Sequence, residues 1–204
     1  MFALDSYNTI VSPQTFVYKS KGSKFLAFAF PVNQEIEIKK HLQDLKLQLP
    51  DASHHCYAYV LNFDKQVFRA NDDGEPSNTA GKPILRQIHH LDLTNVLVVV
   101  VRYFGGTLLG VAGLIEAYSN AALEVLEICE IVNHPIYERY ELQCDFGKEQ
   151  DIYSLSKQYQ SVIIVKQEQS VFCAEIKIPL RSVEDFKRKT KELYFIKIKY
   201  IGIA

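Results

Sequence analysis

The chain has 204 residues, enough for one large domain or two small ones. Hydrophobic residues make up 48% of it, charged residues 23%, and the formal net charge is −1, a composition typical of a soluble globular protein and not of a disordered or membrane chain. The longest apolar run, Val96 to Val101, is far shorter than the ~20 residues that a bilayer span needs. The first ten residues also lack the pattern of an export signal, so we expect a cytoplasmic protein without a membrane segment.

The cysteines give no sign of a metal site. No Cys-x-x-Cys pair occurs, and no histidine pattern near them would complete a zinc site. We therefore expect reduced, mostly buried thiols, with no metal and no cofactor. The four cysteines are Cys56, Cys129, Cys144 and Cys173.

Apolar periodicity in the first part of the chain predicts alternating strands and helices. The six-residue run from Val96 to Val101 is apolar on both faces, which predicts a central strand ending at Arg102. A long helix begins near Val111, because apolar residues recur from there at helical spacing over about five turns. The earlier predicted elements are strands at 14–19 and 24–30, a helix between its N-cap Asn33 and Pro50, and a hairpin of strands 54–61 and 66–69.

A break follows the long helix at Asn133-His134-Pro135, which predicts domains of residues 1–134 and 135–204. The second part is mildly basic, with twelve lysines and arginines against ten acidic residues. Its apolar pattern predicts the order β-α-β-β-α-β, the ferredoxin-like arrangement. Its predicted elements are a strand at 137–146, a helix at 148–159, strands at 162–168 and 171–178 joined near Gln169-Ser170, a helix from the N-cap Ser182 to Glu192, and a strand at 195–201.

The loop DDGEPSNTAGKPI, residues 72–84, crowds three carboxylates, two prolines and two glycines between a predicted strand and a predicted helix. Asp72, Asp73 and Glu75 could hold Mg²⁺, because hard cations prefer oxygen ligands, or serve as acid and base. Alternatively they belong to an ordinary turn. Pro76 and Pro83 stiffen the segment, which favours a surface that must hold its shape.

Two further segments carry candidate chemistry. His54 and His55 begin a strand, so their side chains point to opposite faces and at most one reaches a site. The stretch from Arg102 reads as strand, glycine-rich turn and helix, an arrangement that favours anions at the helix start. It lacks both the Lys-Ser/Thr of a P-loop and the Gly-x-Gly-x-x-Gly pattern, so its glycines could equally serve close packing of helix on sheet.

Three blocks, HHCYAYVL, NDDGEPSNTAGKPIL and NVLVVVVRYFGGTLLGVAGLIEAYSNAA, resemble the signature of the YigZ/IMPACT family, formerly an uncharacterised protein family. They stand in the family's order across most of residues 15–130, and residues 135–204 resemble the carboxy-terminal domain of bacterial members. The resemblance implies a first α+β domain with a ribosomal-protein-like fold, also seen in the fourth domain of the translocation elongation factor. It implies a ferredoxin-like second domain similar to the last domain of that factor.

The resemblance also implies a role in translation. Eukaryotic relatives bind a ribosome-associated activator and thereby restrain a starvation-sensing kinase, but with an additional amino-terminal domain that has no counterpart in these residues. The family usually has Gly at the position of Asn78, often Lys at Leu108 and often Arg at Glu116. The last two differences remove positive charge from the start of the long helix.

The sequence thus supports a cytoplasmic, non-enzymatic translation regulator that binds RNA or a ribosome-associated partner. One alternative is a Mg²⁺-dependent hydrolase of a phosphate-containing substrate, in which the loop carboxylates hold the ion and Arg102 steadies a phosphate. Another is a purely protein–protein regulator. The residues expected to form the binding surface are His55, Asp72, Asp73, Glu75, Arg102, Tyr103, Gly105 and Gly106.

Overall fold

The computed structural model describes residues 5–166 and 170–203. Residues 7–134 form one compact unit, and residues 135–203 form a second together with residues 5 and 6. Each unit combines helices and antiparallel strands around a core of its own, so the predicted α+β class is confirmed. In the described ranges no helix is long and apolar enough to cross a membrane.

The first unit is built on a five-stranded antiparallel sheet in the order β2-β3-β6-β4-β5. Helices α2 and α3 pack on one face of this sheet and α1 on the other. Strands β1 and β7 form a separate two-stranded sheet. The elements are β1 (Ser6–Ile10), β2 (Gln14–Ser20), β3 (Ser23–Pro31), α1 (Glu35–Gln48), β4 (His54–Leu61), β5 (Val67–Asn71), α2 (Gly81–His90), β6 (Val96–Tyr103), α3 (Gly110–Glu127) and β7 (Ile131–Pro135).

Strand β6 is central, as its apolar run predicts. Val96, Val98 and Val100 lie in the core beneath α2 and α3, whereas Leu97 and Val99 lie in the core beneath α1. A strand buried on both faces needs no polar alternation, which explains the unbroken run of aliphatic residues.

Three details of the first unit differ from prediction. The N-cap of α1 is Gln34, not Asn33, and its side chain makes no capping bond; the Asn33 N–H instead donates to the Glu37 carboxylate at 2.7 Å. Strand β6 continues past Val101, because Arg102 and Tyr103 still pair with β3. Strands β1 and β7 were not predicted, since both are short and form a sheet with each other from distant parts of the sequence.

The second unit has the ferredoxin-like topology predicted for it. Its antiparallel sheet has the order β11-β8-β10-β9, and its core lies between this sheet and the two helices. Ser182 occupies the N-cap of α5 but makes no side-chain capping bond. The predicted turn at Gln169 and the predicted strand end at Glu168 lie outside the described residues. The elements are β8 (Tyr137–Cys144), α4 (Glu149–Gln158), β9 (Ile163–Lys166), β10 (Phe172–Pro179), α5 (Val183–Glu192) after one 3₁₀ turn, and β11 (Lys197–Ile203).

Candidate functional site

A buried carboxylate connects the 72–84 loop to the sheet and to α3. Glu75 Oε1 accepts hydrogen bonds from Arg102 Nη1 at 2.6 Å and from the Tyr118 hydroxyl at 2.8 Å. Arg102 lies near the end of β6 and Tyr118 in the middle of α3. One carboxylate oxygen therefore holds three elements together.

The Arg102 side chain is enclosed and only 6% of the residue is exposed. Its guanidinium carbon lies 5.6 Å from the ring centres of both Phe25 and Phe104, and Nη2 is 3.4 Å from the Ser23 hydroxyl. Flat aromatic faces attract a guanidinium, so these contacts add to the ion pair with Glu75. The positive charge of Arg102 is thus neutralised and covered and is not presented at the surface.

Asp72 organises the start of α2. Its Oδ1 accepts hydrogen bonds from the backbone N–H groups of Ala80 at 3.0 Å and Gly81 at 2.8 Å, and its Oδ2 accepts one from Asn78 at 2.9 Å. The first N–H groups of a helix have no partner within the helix, and a negative charge there also complements the helix dipole. Asp72 is a capping residue supplied from eight positions upstream of the N-cap.

Gly81 is required by close approach of backbones. A Cβ atom at this position would lie 2.5 Å from the backbone nitrogen of Asn71, at the end of β5. The absence of a side chain lets α2 start directly against the strand, where the Asp72 carboxylate reaches it.

Asp73 fixes the other side of the loop. Its φ of +43° lies in the left-handed region, which Asp tolerates better than most residues. Its Oδ1 lies 3.2 Å from Lys46 Nζ, its Oδ2 accepts the His55 backbone N–H at 2.7 Å, and its carbonyl oxygen is 2.8 Å from His54 Nδ1. The loop is therefore bonded along β4 as well as to β6.

The three loop carboxylates do not converge on a common point. Asp72 faces the start of α2, Asp73 faces Lys46 and β4, and Glu75 faces Arg102. Within residues 5–166 and 170–203, no group of three or more His, Cys, Asp or Glu side chains is placed to hold a metal ion. This arrangement of the loop gives no support to the alternative in which the three carboxylates jointly hold Mg²⁺.

The two histidines lie on opposite faces of the sheet, as predicted, but the one that faces the ion pair is His54. His54 is the register partner of Arg102, and its Nε2 is 3.9 Å from Glu75 Oε1. His55 pairs with Val101 on the α1 face, where Tyr103 also packs. The structure thus places the side chains of His55 and Tyr103 on the face opposite to Arg102.

The surroundings of His55 favour its neutral form. Burial lowers the pKa of His55 below its usual value, and the Asp73 carboxylate, 4.0 Å from Nδ1, only partly opposes this. Its Nε2 has no hydrogen-bond partner in the described part of the chain. His55 acts on the loop through its backbone N–H rather than through its ring.

Cys56 and Tyr118 complete the cluster and were not predicted. The Cys56 S–H donates to the Asp72 carbonyl at 3.0 Å, and its sulfur is 3.4 Å from the Tyr118 hydroxyl. Burial raises the pKa of both groups well above the ordinary range, so both stay protonated as donors. The sequence could have indicated that Cys56 belongs to the cluster, because it follows His54 by two residues and so lies on the same strand face. Tyr118 could be recognised only as part of the apolar stripe of α3.

The glycine-rich turn after β6 combines a tight contact with an open surface. Gly105 packs its backbone against that of Gly22, where a Cβ atom would overlap the Gly22 carbonyl group, and its N–H donates to the Ser23 hydroxyl at 3.2 Å. Gly106, with φ of +83°, has free space around it. Residues 104–112 contain no charged side chain, and Phe104, Leu108 and Val111 are exposed.

The loop carboxylates, the buried ion pair and the glycine-rich turn therefore form one connected cluster in a protein of two α+β units. Comparison with known proteins shows to which family of this class the chain belongs. Residues 21–126, just over half of the chain, match the profile of the Impact N-terminal domain, and the chain belongs to the IMPACT family. The resemblance seen in the three sequence blocks is confirmed.

Two bacterial proteins are similar to most of the chain. The chain is 31% identical over 188 residues to IMPACT family member YigZ of Escherichia coli, covering 91% of this chain and 92% of that protein. It is 35% identical over 143 residues to IMPACT family member YvyE of Bacillus subtilis, covering 70% of this chain and 66% of that protein. A crystal structure titled as that of a hypothetical protein is similar with a TM-score of 0.74 and 30% identity, covering 97% of this chain and 98% of that one.

The geometry accounts for one departure from the family pattern. Asn78, where glycine is usual, has φ of +65° in the left-handed region. Asparagine adopts this region more readily than other side-chain-bearing residues, so the loop keeps its path. Leu108 and Glu116, which replace frequent basic residues, are both exposed and change only the charge of the surface.

Proposed function

We propose that this protein is a non-enzymatic regulator of translation that binds a ribosome-associated partner through residues 76–78 and 104–112, here called the loop surface. The observation that carries the proposal is the buried Arg102–Glu75 ion pair, which ties the two segments of this surface to one point. A role in translation rests on membership of the IMPACT family and on the function implied by the resemblance of the sequence blocks.

Rigidity of the loop surface supports binding. Hydrogen bonds that the carboxylates of Asp72, Asp73 and Glu75 accept hold the loop to α2, β4 and β6. A surface already fixed in its bound shape loses little conformational entropy on association, which favours affinity. A loop that only connects two elements would not need three carboxylates that each accept hydrogen bonds from a different element.

The chemistry of the loop surface favours a protein partner. Its exposed groups include the half-exposed ring of Phe104 and the Leu108 side chain, and no charge occurs from residue 104 to 112. The centres of protein interfaces are poor in charged residues and rich in aromatic ones. Recognition of RNA phosphates at this position would need exposed cations, whereas Arg102 is buried and paired.

The hydrolase alternative gains no support from the site. The loop carboxylates each accept hydrogen bonds from protein donors, and the Arg102 guanidinium is engaged with Glu75 instead of facing a substrate. We therefore assign the carboxylates a structural role beneath a binding surface.

Co-sedimentation with ribosomes tests the proposal. The double variant Leu108→Asp/Val111→Asp places charge on the loop surface, and the amount pelleting with ribosomes should fall at least about tenfold, since buried unpaired charge opposes association. The matched control is Ile36→Asp/Leu47→Asp on α1, because Leu47 is 72% exposed and Leu108 83%.

The outcomes are distinct. Wild-type protein and the α1 control should pellet equally, and binding should survive nuclease treatment that leaves the ribosome-associated proteins intact. Absence of wild-type protein from the pellet at low salt, or an equal loss in both double variants, would contradict the proposal.

A further inference from the structure

Strand β2 forms one edge of the five-stranded sheet. It pairs with β3 in unbroken register through the two-residue turn Lys21-Gly22. The residues that flank such a turn exchange hydrogen bonds, and along an antiparallel pair bonded and non-bonded positions alternate. The backbone N–H and C=O groups of Thr15, Val17 and Lys19 therefore point away from β3.

The outward backbone groups of β2 are free to pair with another strand. Among the described residues, only those of β3 form hydrogen bonds with the backbone of β2. Thr15, Val17 and Lys19 also have exposed side chains, and Val17 is 44% exposed. A row of unpaired backbone groups at the edge of a sheet is a template for an added strand.

Three lysines lie at this edge and at the turn of the hairpin. Residues 14–31 contain Lys19, Lys21 and Lys24 and no acidic residue, although residues 1–134 as a whole have eleven basic and fourteen acidic ones. All three lysines are exposed, and none makes an ion pair within 4.0 Å to a residue that the structure describes. The hairpin is therefore a positive region in an otherwise acidic part of the chain.

The fold does not benefit from this placement of charge. Lys19 and Lys24 are register partners, and they project from the sheet face on which Leu26 and Tyr103 also lie. Like charges directly opposite each other on neighbouring strands are destabilising. An acidic side chain placed beside Lys19 would relieve this repulsion.

The turn of the hairpin lies beside the loop surface. The backbone of Gly22 contacts that of Gly105, and the Gly105 N–H donates to the Ser23 hydroxyl at 3.2 Å. Gly105 belongs to the segment 104–112 of the loop surface. Because β2 ends two residues before Gly22, a partner seated on the loop surface can continue onto the edge of β2.

We propose that an extended acidic segment of a protein partner pairs with the outer edge of β2 and adds a sixth strand to the sheet. Its backbone bonds to the outward groups of Thr15, Val17 and Lys19, and its acidic side chains lie beside Lys19 and Lys24. In such strand addition, main-chain hydrogen bonds supply affinity and alternate side chains supply specificity.

The charge of the edge selects among possible occupants. The lysines disfavour a second copy of this chain, because pairing would bring two positive hairpins together. Only a polypeptide can bond to the outward N–H and C=O groups as a strand does. That this polypeptide belongs to the partner of the loop surface rests on the proposed function, whereas the open edge and its charge are independent of it.

Fluorescence anisotropy with the full chain and a labelled ten-residue peptide of alternating valine and glutamate tests this proposal. The peptide should bind with a dissociation constant below about 1 mM, and a peptide of alternating valine and glutamine should bind at least about tenfold more weakly. Val17→Pro removes an outward N–H without breaking a bond to β3, so it should weaken binding at least about tenfold, whereas Val17→Thr should bind like the wild type.

The contribution of charge is tested separately. Lys19→Glu/Lys24→Glu should weaken binding of the acidic peptide at least about tenfold, because attraction becomes repulsion. The control of equal charge change is Lys39→Glu/Lys40→Glu, at exposed positions of α1, which should leave affinity near that of the wild type.

Hydrogen exchange separates strand addition from simple attraction between charges. Saturating peptide should slow exchange of the Thr15, Val17 and Lys19 amides at least about tenfold, since these amides gain hydrogen bonds. The amides of Phe16 and Tyr18 point toward β3 and serve as the internal reference.

Several results would overturn the proposal. They are no saturable binding of the acidic peptide at low salt, binding without protection of the outward β2 amides, and an equal loss of affinity in the α1 control. A dimer of the chain that Val17→Pro dissociates would assign the edge to a second copy instead. Tighter binding of oligouridylate than of the peptide would assign the lysines to RNA.

Failure of this proposal and failure of the proposed function are distinguishable, because the peptide assay contains no ribosome. Peptide binding without sedimentation of the wild-type protein with ribosomes contradicts only the proposed function. Sedimentation that depends on Leu108 and Val111, without peptide binding, contradicts only the role of the β2 edge.

Discussion

Glu75 Oε1 lies 2.6 Å from Arg102 Nη1 in the protein interior, with both side chains more than 90% buried. The two residues are 27 positions apart, and their contact closes the 72–84 loop onto the end of β6. Moving two charges out of water is costly, and their mutual attraction offsets this cost only while both are present. The pair therefore makes the position of the loop depend on each partner.

Replacing Glu75 by Ala should destabilise the first unit by about 3–5 kcal/mol, because Arg102 would remain as a buried unpaired charge. Hydrogen exchange of the buried β6 amides measures the free energy of unfolding of this unit. Amides of β10 in the second unit provide an internal control and should keep their protection. Glu116→Ala, at an exposed position of α3, should change stability by no more than about 0.5 kcal/mol.

A double-mutant cycle checks that the pair itself is responsible. Adding Arg102→Leu to Glu75→Ala removes the orphaned charge, so the double variant should be more stable than the sum of the single changes implies. Additive losses would mean that the ion pair is not the source of the effect.

Asp72→Ala should destabilise the first unit by about 1–3 kcal/mol, because it leaves N–H groups at the start of α2 without their acceptor. Protection of the Ala80 and Gly81 amides should fall more than that of amides at the end of the helix. Asp51→Ala, at an exposed position before β4, should leave these amides unchanged. Equal loss along the whole of α2 would argue against a capping role.

Periodicity was sufficient to predict most of the fold. Residues 96–101 and the apolar stripe of α3 contact a core. The spacing of apolar residues along the sequence indicates such contact directly, because it follows the period of the strand or helix. The two elements that escaped prediction, β1 and β7, pair with each other across more than 100 residues, and no local pattern specifies such a partner. The cap of α1 was misplaced because Gln34 makes no side-chain bond that a sequence rule could detect.

The candidate site was predictable in position but not in its interactions. The carboxylates and Arg102 were identified, yet their sequence spacing does not say that Glu75 faces Arg102 while Asp72 faces α2. Selecting His54 rather than His55 required the strand register, which pairs His54 with Arg102. Because the side-chain period of a strand is two, a one-residue ambiguity reverses which histidine faces the site.

Gly105 and Gly106 should respond very differently to alanine. At Gly105 the new Cβ would overlap the backbone of Gly22, so Gly105→Ala must separate two strand ends and should cost several kcal/mol, about 3 or more. At Gly106 the space is open, and Gly106→Ala should cost only about 1–2 kcal/mol for its positive φ. Equal destabilisation, measured by exchange of the β6 amides, would contradict the close Gly22–Gly105 contact.

Stability of the first unit should depend on pH through His55. Burial lowers the pKa of this residue in the folded protein, so between that value and the ordinary pKa of 6.5 the unfolded chain binds more protons than the folded one. The contribution of neutral His55 is therefore complete above pH 6.5 and is lost as pH falls toward the lowered pKa. Exchange-derived free energies of unfolding at pH values from about 7.5 down to 5 measure this loss.

The variant His55→Leu isolates this dependence, because it removes the titrating ring and also the buried Nε2 that lacks a partner among the described residues. Its stability should fall less than that of the wild type as pH decreases below 6.5, with Asp73 still held by the backbone N–H of residue 55. His90→Gln is the matched control, since His90 is exposed at the end of α2. If His55→Leu and the wild type lose stability in parallel, the ring of His55 is not the group that senses pH.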